Sequence, residues 1–228
     1  MIIRDFVYEP PGARVIFAPR SRGQIPDEVS RLSAERVLMI ATRAMKSHAD
    51  VLVQWLGSAV SARIDGVTQH VPVERAREAA LIATDADVDL VMCLGGGSAI
   101  GLAKAVAKDT GRPILAVPTT YAGSEMTPIW GVTEGGRKST GRESRVLPRV
   151  VVYDPELTVS LPASTSAASG MNALAHCVEG LFAADAPPIT GPIAQEGIRT
   201  LATSLPLVIE HPDDLNARSA ALYGAWLA

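Results

Sequence analysis

Four apolar runs, RVIFA (14–18), RVLMIA (36–41), VDLVMCLG (88–95) and PILAVP (113–118), show almost no polar alternation. A strand with one wet face alternates apolar and polar residues, whereas a strand buried on both faces does not. AVSARI at 59–64 reads as a further strand of the series. Helical runs separate them: IPDEVSRL (25–32), MKSHADVLVQWL (45–56), PVERAREAALIAT (72–84) and SAIGLAKAVAKDT (98–110). Pro72 suits a helix start, where its missing N–H costs nothing. Strands alternating with helices at this spacing require a parallel sheet covered by helices. The expected fold class is therefore α/β, with a parallel-sheet domain over residues 1–160.

The rhythm changes after Pro118. IWGVTEGGRKST reads as a hairpin turning at Gly135-Gly136, and RVVVYDP (149–155) as one more strand stopped by Asp-Pro. From there the pattern is helical, over 163–184, 190–210 and 213–228, which places a boundary at Leu161-Pro162 and a second domain over 161–228. The last helix, LNARSAALYGAWLA, has an apolar face, and no cap or polar tail follows it. Three such helices make a thin layer with exposed apolar surface. The expectation is an incomplete all-helical domain, or one that a partner covers.

The net charge of −3 gives no global field that draws nucleic acid or an anionic membrane. No run of about 18 apolar residues marks a transmembrane helix, and MIIRDFVYEPPG lacks the apolar core of a signal peptide. Cys93 and Cys177 stand far apart in apolar contexts and read as two buried thiols of a reducing cytoplasm.

The strongest local signal is CLGGGSAIGLAKAVA (93–107), a glycine turn between a strand and a helix. Gly95, Gly96 and Gly97 let the backbone approach a phosphate, and free N–H groups at the helix start attract anions. Ser98 would add a hydroxyl at the N-cap. The dinucleotide fingerprint needs glycine where Ile100 stands, and the P-loop Gly-Lys-Ser/Thr is missing. The turn is either a pyrophosphate cradle of another pattern or a tight connection without a ligand. VPTTYAGSEMTP (117–128) follows the fifth strand, at the carboxyl edge where open α/β sheets bind ligands. Its hydroxyls, Thr119, Thr120, Ser124 and Thr127, make it a candidate second wall.

SGMNALAHCVEG (169–180) reads as a helix opening after a glycine. Asn172 and His176 are four apart and share a face, the spacing by which a helix offers two ligands to one metal. An amide stands where a metal would want a carboxylate. The pair either performs chemistry or merely hydrogen-bonds to itself, with Glu179 as a structural partner on the same face.

Four motifs, GGGSAIGLAKAVA, PTTYAGSEMTP, VVVYDPELT and SGMNALAHCVEG, occur in an order and spacing that resemble the iron-containing (group III) alcohol dehydrogenase family. The resemblance implies an N-terminal dinucleotide-binding α/β domain and a C-terminal helical domain, with substrate and usually a metal in the cleft between them. It implies that Gly96, Gly97 and Ser98 hold the pyrophosphate, that Thr119, Thr120 and Ser124 surround the cofactor, and that Lys138 lies near it. Two departures stand out: Gly101 and Asn172 each replace a family aspartate. The combination is similar to the maleylacetate reductase branch, which implies NADH- or NADPH-dependent reduction of maleylacetate to 3-oxoadipate in aromatic-compound catabolism. No metal is expected on this reading. Asn172 and His176 would be the catalytic groups, donating hydrogen bonds to an enolate oxygen.

A small dicarboxylate substrate needs cations, and Arg137, Lys138, Arg142, Arg145 and Arg149 form a basic run, although such runs are commonly solvated loops. Arg43, after the second strand, could tolerate a 2′-phosphate. His48, His70 and His211 read as surface residues. A cytoplasmic homodimer with no nucleic-acid or membrane partner is expected. The rival readings are a metal-dependent alcohol dehydrogenase, using His176 with two family histidines beyond residue 228, and a cofactor-binding fragment without full activity.

Overall fold

The computed structural model describes residues 8, 12–67, 71–184 and 186–228. His70 and most of MIIRDFVYEPPG lie outside them. By its internal contacts the chain forms two compact units. One comprises Ala13–Thr119 with Ser124–Asp154; the other comprises Tyr8, Gly12, Thr120–Gly123 and Pro155–Ala228.

The first unit is a six-stranded parallel sheet. Its strands are β1 (Arg14–Phe17), β2 (Val37–Ala41), β3 (Val60–Asp65), β4 (Leu90–Gly95), β5 (Ile114–Pro118) and β8 (Val150–Tyr153), in the order β1-β8-β5-β4-β2-β3. Every residue of β2, β4, β5 and β8 is buried, as their unbroken apolar runs require. The edge strand β3 carries mixed burial. So does β1, against the reading of RVIFA as buried on both faces: it lies at the sheet edge and pairs with β8 on one side, which leaves Arg14 exposed and Val15 and Phe17 half-buried. Connections run through α1 (Ile25–Arg31), α2 (Lys46–Leu56), α3 (Val73–Asp85) and α4 (Gly97–Thr110). The predicted hairpin is present as β6 (Ile129–Glu134) and β7 (Arg137–Arg142), paired antiparallel. Gly135 and Gly136 turn it at φ 55° and 79°, values that favour glycine.

The chain builds β2, then β3 on one side of it, then crosses over to place β4 on the other side. This reversal makes the carboxyl ends of β2 and β4 a topological switch point, where the connecting loops diverge and leave a crevice.

The second unit holds α5 (Ala163–Phe182), α6 (Thr190–Glu210) and α7 (Leu215–Leu227). Contrary to the reading of SGMNALAHCVEG as a helix opening after a glycine, α5 begins seven residues before Gly170. Gly170 is interior because Leu205 of α6 packs directly against its Cα. Gly197 and Gly224 act alike: a Cβ would lie 2.6 Å from Cys177 Sγ at the first and 2.7 Å from Leu201 Cγ at the second. The Asp214 carboxylate caps α7, accepting from the N–H groups of Asn216 and Ala217. Phe182, 83% exposed, together with Met171, Val178, Leu181, Ile189, Leu207 and Ile209, leaves apolar surface on α5, α6 and the segment between them. Among the described residues no helix is long and apolar enough to cross a membrane.

Candidate functional site

Gly95 ends β4 at φ 151°, where a side chain is strained, and a Cβ there would lie 2.5 Å from Thr42 Cγ2 and 3.0 Å from Ala99 Cβ. The turn therefore sits tight against the loop after β2, joined to it by Thr42 N–H donating to Leu94 O at 3.2 Å. Gly95 O in turn accepts from Thr119 N–H at 3.1 Å, which attaches the start of the loop after β5. Gly96 is the N-cap of α4 and makes no side-chain cap bond. Ser98 is thus the second residue of the helix rather than its N-cap, because the chain already turns helical at Gly97. Gly97 is exposed and Ser98 half-buried. The free N–H groups of this helix start lie at the switch point, an arrangement suited to an anion.

Thr119 is buried and Thr120 half-buried. The Ser124 hydroxyl is buried and has no hydrogen-bond partner among the described residues. Buried polar atoms of this kind are satisfied in proteins by an ordered water, an ion or a ligand. Lys138 stands exposed on β7 opposite Thr133. Arg137, Arg142, Arg145 and Arg149 are exposed as well, and Arg145 pairs with Glu143 at 3.2 Å, so the run is a solvated face. Arg43 is exposed just beyond Thr42. His48 is half-buried on α2, and His211 is exposed.

Sequence reading missed the buried charges, among them Lys104, Glu125 and Arg218. Lys104, on α4, donates to the carbonyls of Ser124, Thr127 and Ile129. Burial pulls its pKa down to about 8, while Glu125 and Cys93 push the other way. The Glu125 carboxyl is fully buried and accepts from Tyr153 OH at 2.8 Å; burial raises its pKa. Arg218 is fully buried within the helical unit. It donates to Tyr121 OH, Ser166 Oγ and the carbonyls of Pro212, Val159 and Leu161. Each looks like an ordinary surface charge until its acceptors, distant in sequence, are known. Cys93 and Cys177 are free, buried thiols, and burial pushes the Cys93 thiol up to about 12.

In the helical unit, Asn172 and His176 lie side by side and exposed on α5. Asn172 Nδ2 is 3.1 Å from His176 Nε2 and 3.4 Å from Ala122 O. His176 Nδ1 faces Glu179 Oε2 at 3.5 Å. With the ring hydrogen on Nδ1, facing Glu179, Nε2 remains an acceptor. A carboxylate behind an imidazole in this way is how metal-binding histidines are oriented. Beside His176 lies an apolar hollow of about 250 Å³ lined by Cys177, Ile189, Ile193, Ala194 and Leu227.

The two units define a class: an open, parallel α/β sheet with a glycine turn at its switch point, joined to a helical unit. The chain belongs to the iron-containing alcohol dehydrogenase family. It matches that family over residues 11–155, and the C-terminal part of the Fe-containing alcohol dehydrogenase family over residues 166–228. It is 50% identical over 224 residues to the maleylacetate reductase of Sphingobium indicum, covering 98% of this chain and 63% of that protein. The maleylacetate reductase of Pseudomonas knackmussii is 48% identical over 223 residues, with the same coverage. The crystal structure of maleylacetate reductase from Rhizobium sp. strain MTP-10005 superposes with a TM-score of 0.95 at 44% identity, covering 99% of this chain and 64% of that one. The chain thus spans under two thirds of the length of these relatives.

Family membership corrects the expectation of no metal, since the matched family is iron-containing. That expectation rested on Asn172 in place of aspartate, but an amide oxygen and an imidazole nitrogen are both donors that iron accepts. His176 Nε2 and Asn172 Oδ1 therefore fit part of an iron site. Among the described residues no cluster of three His, Cys, Asp or Glu side chains completes it.

Proposed function

We propose that the protein is an NADH- or NADPH-dependent maleylacetate reductase of aromatic-compound catabolism, acting in the cytoplasm as a homodimer. The observation that carries this reading is the exposed Asn172–His176 pair on α5, in a chain half identical to a maleylacetate reductase. Residues 1–160 serve as the dinucleotide-binding domain and 161–228 as the start of the substrate domain. Gly95, Gly96, Gly97 and Ser98 receive the pyrophosphate, while Thr119, Thr120, Ser124 and Lys138 contribute the surrounding contacts.

In maleylacetate the carbon–carbon double bond is conjugated to a ketone. A bound dihydronicotinamide would supply a hydride to the far carbon; the electron pair would then rest on the ketone oxygen as an enolate, and a proton at the near carbon would complete 3-oxoadipate. The Asn172 amide N–H, and the His176 ring in the tautomer that carries its hydrogen on Nε2, stabilise the negative oxygen by donating hydrogen bonds to it. A neutral amide at 172 also avoids repelling a dicarboxylate. Iron, when bound, supplies Lewis-acid polarisation of a carbonyl oxygen.

The test is oxidation of NADH and NADPH with maleylacetate beside simple aldehydes. A higher kcat/KM for maleylacetate is expected, and a preference for aldehydes would sink the reading.

A further inference from the structure

A single lysine ties the helix behind the glycine turn to the loop after β5. Lys104 lies two turns into α4 and is 1% exposed. Its Nζ donates to Ser124 O at 2.5 Å, Thr127 O at 2.6 Å, Ile129 O at 2.8 Å and Thr127 Oγ1 at 3.1 Å. An ammonium carries three hydrogens, so these four oxygens use its whole donor capacity. Filling space does not account for the residue, since methionine fills the same volume without burying a charge. The convergence of three carbonyls from one short segment does account for it. Glu125, on the same segment, and Cys93, on β4, are the ionisable groups that act on Lys104 electrostatically. Ser124 provides one of the gripped carbonyls, and its own hydroxyl is buried without a partner among the described residues, as is Glu125 Oε2 beside it.

We propose that Lys104 is a positioning residue whose ammonium locks the Ser124–Ile129 segment, so that the Ser124 hydroxyl is held ready for the dinucleotide. The proposal rests on the reading of the glycine turn as a dinucleotide cradle. Lys104 touches no ligand; it acts through the loop.

The experiment compares wild type with Lys104→Met and with Val29→Ala, a buried change on α1 that controls for lost stability. Two readouts are taken: hydrogen-exchange protection of residues 124–129, and the Kd of NADH and NADPH by titration. Lys104→Met should lower protection about tenfold and raise Kd about tenfold, while Val29→Ala changes neither. Protection and Kd in Lys104→Met that match Val29→Ala overturn the proposal. If wild type binds no dinucleotide, the cradle reading fails, and loss of protection in Lys104→Met alone decides whether the lysine locks the loop. If Lys104→Met does not fold, the wild-type Lys104 ammonium signal is followed by NMR. It should shift on adding NADPH or NADH, and an unmoved signal overturns the proposal.

Discussion

Replacing Gly95 by alanine tests the tightness of the switch point. The added Cβ would meet Thr42 Cγ2 at 2.5 Å, Ala99 Cβ at 3.0 Å and Thr42 Oγ1 at 3.1 Å. Overpacking of this kind costs roughly 1–3 kcal/mol. Holding a side chain at φ 151° adds strain of about 1–3 kcal/mol. Gly95→Ala should therefore lower stability by roughly 2–6 kcal/mol, read from urea unfolding. Thr42→Ser removes Cγ2, the nearest clashing atom, but leaves the oxygen. In the double variant part of the packing cost should return, about 1–2 kcal/mol of coupling, while the backbone strain remains. A Gly95→Ala protein within about 0.5 kcal/mol of wild type, or one whose loss is indifferent to Thr42→Ser, would refute the picture of two loops pressed together.

Three further outcomes are expected. Asn172→Ala should lower kcat/KM for maleylacetate by about tenfold to a hundredfold; an unchanged rate would remove Asn172 from the reaction. Arg218→Met should destabilise the helical unit by about 2 kcal/mol or more, because the buried Tyr121 OH and Ser166 Oγ lose their donor, and urea unfolding measures this. The third outcome concerns pH. The folded pKa of Lys104, about 8, lies below its ordinary 10.5, so the unfolded chain binds this proton more tightly. The lysine's contribution to stability is fully present above 10.5 and is lost as pH falls through 8. The stability of wild type minus that of Lys104→Met should therefore rise by up to about 3 kcal/mol across this window; a flat difference would contradict it.

Much of the sheet unit was legible because its signals are local. Unbroken apolar runs marked β2, β4 and β5 as interior strands, and Gly135-Gly136 marked the hairpin. The equally apolar RVIFA misled, because only the strand order shows that β1 lies at the edge. The Asn172–His176 juxtaposition was legible for the same reason, since helical spacing alone sets it. What escaped depends on distant partners. Lys104 and Arg218 sit in helices that read as amphipathic, and only the carbonyls that fold onto them show that they are interior. The helical pattern over 163–184 located the start of α5, but SGMNALAHCVEG taken alone suggested an opening after a glycine, because only Leu205, distant in sequence, shows why Gly170 sits inside the helix. The metal was misjudged because one helix displays only two donors, and a substitution at one of them was taken as loss of the site.

The strand order also bears on how the chain comes together during synthesis. Among the described residues β1, at 14–17, is the first strand to be made, yet it pairs only with β8, at residues 150–153. Until Val150 emerges, β1 lacks this partner, while β2, β3, β4 and β5 already have theirs. The fold therefore waits on a long-range closure, the kind that slows folding and leaves an unpaired edge exposed meanwhile. Asp154, next after β8, then receives the backbone N–H groups of Arg20 and Arg22 and the Arg22 guanidinium. One carboxylate thus latches the oldest part of the sheet to its newest, and assembly of the sheet is complete only when that residue has been added.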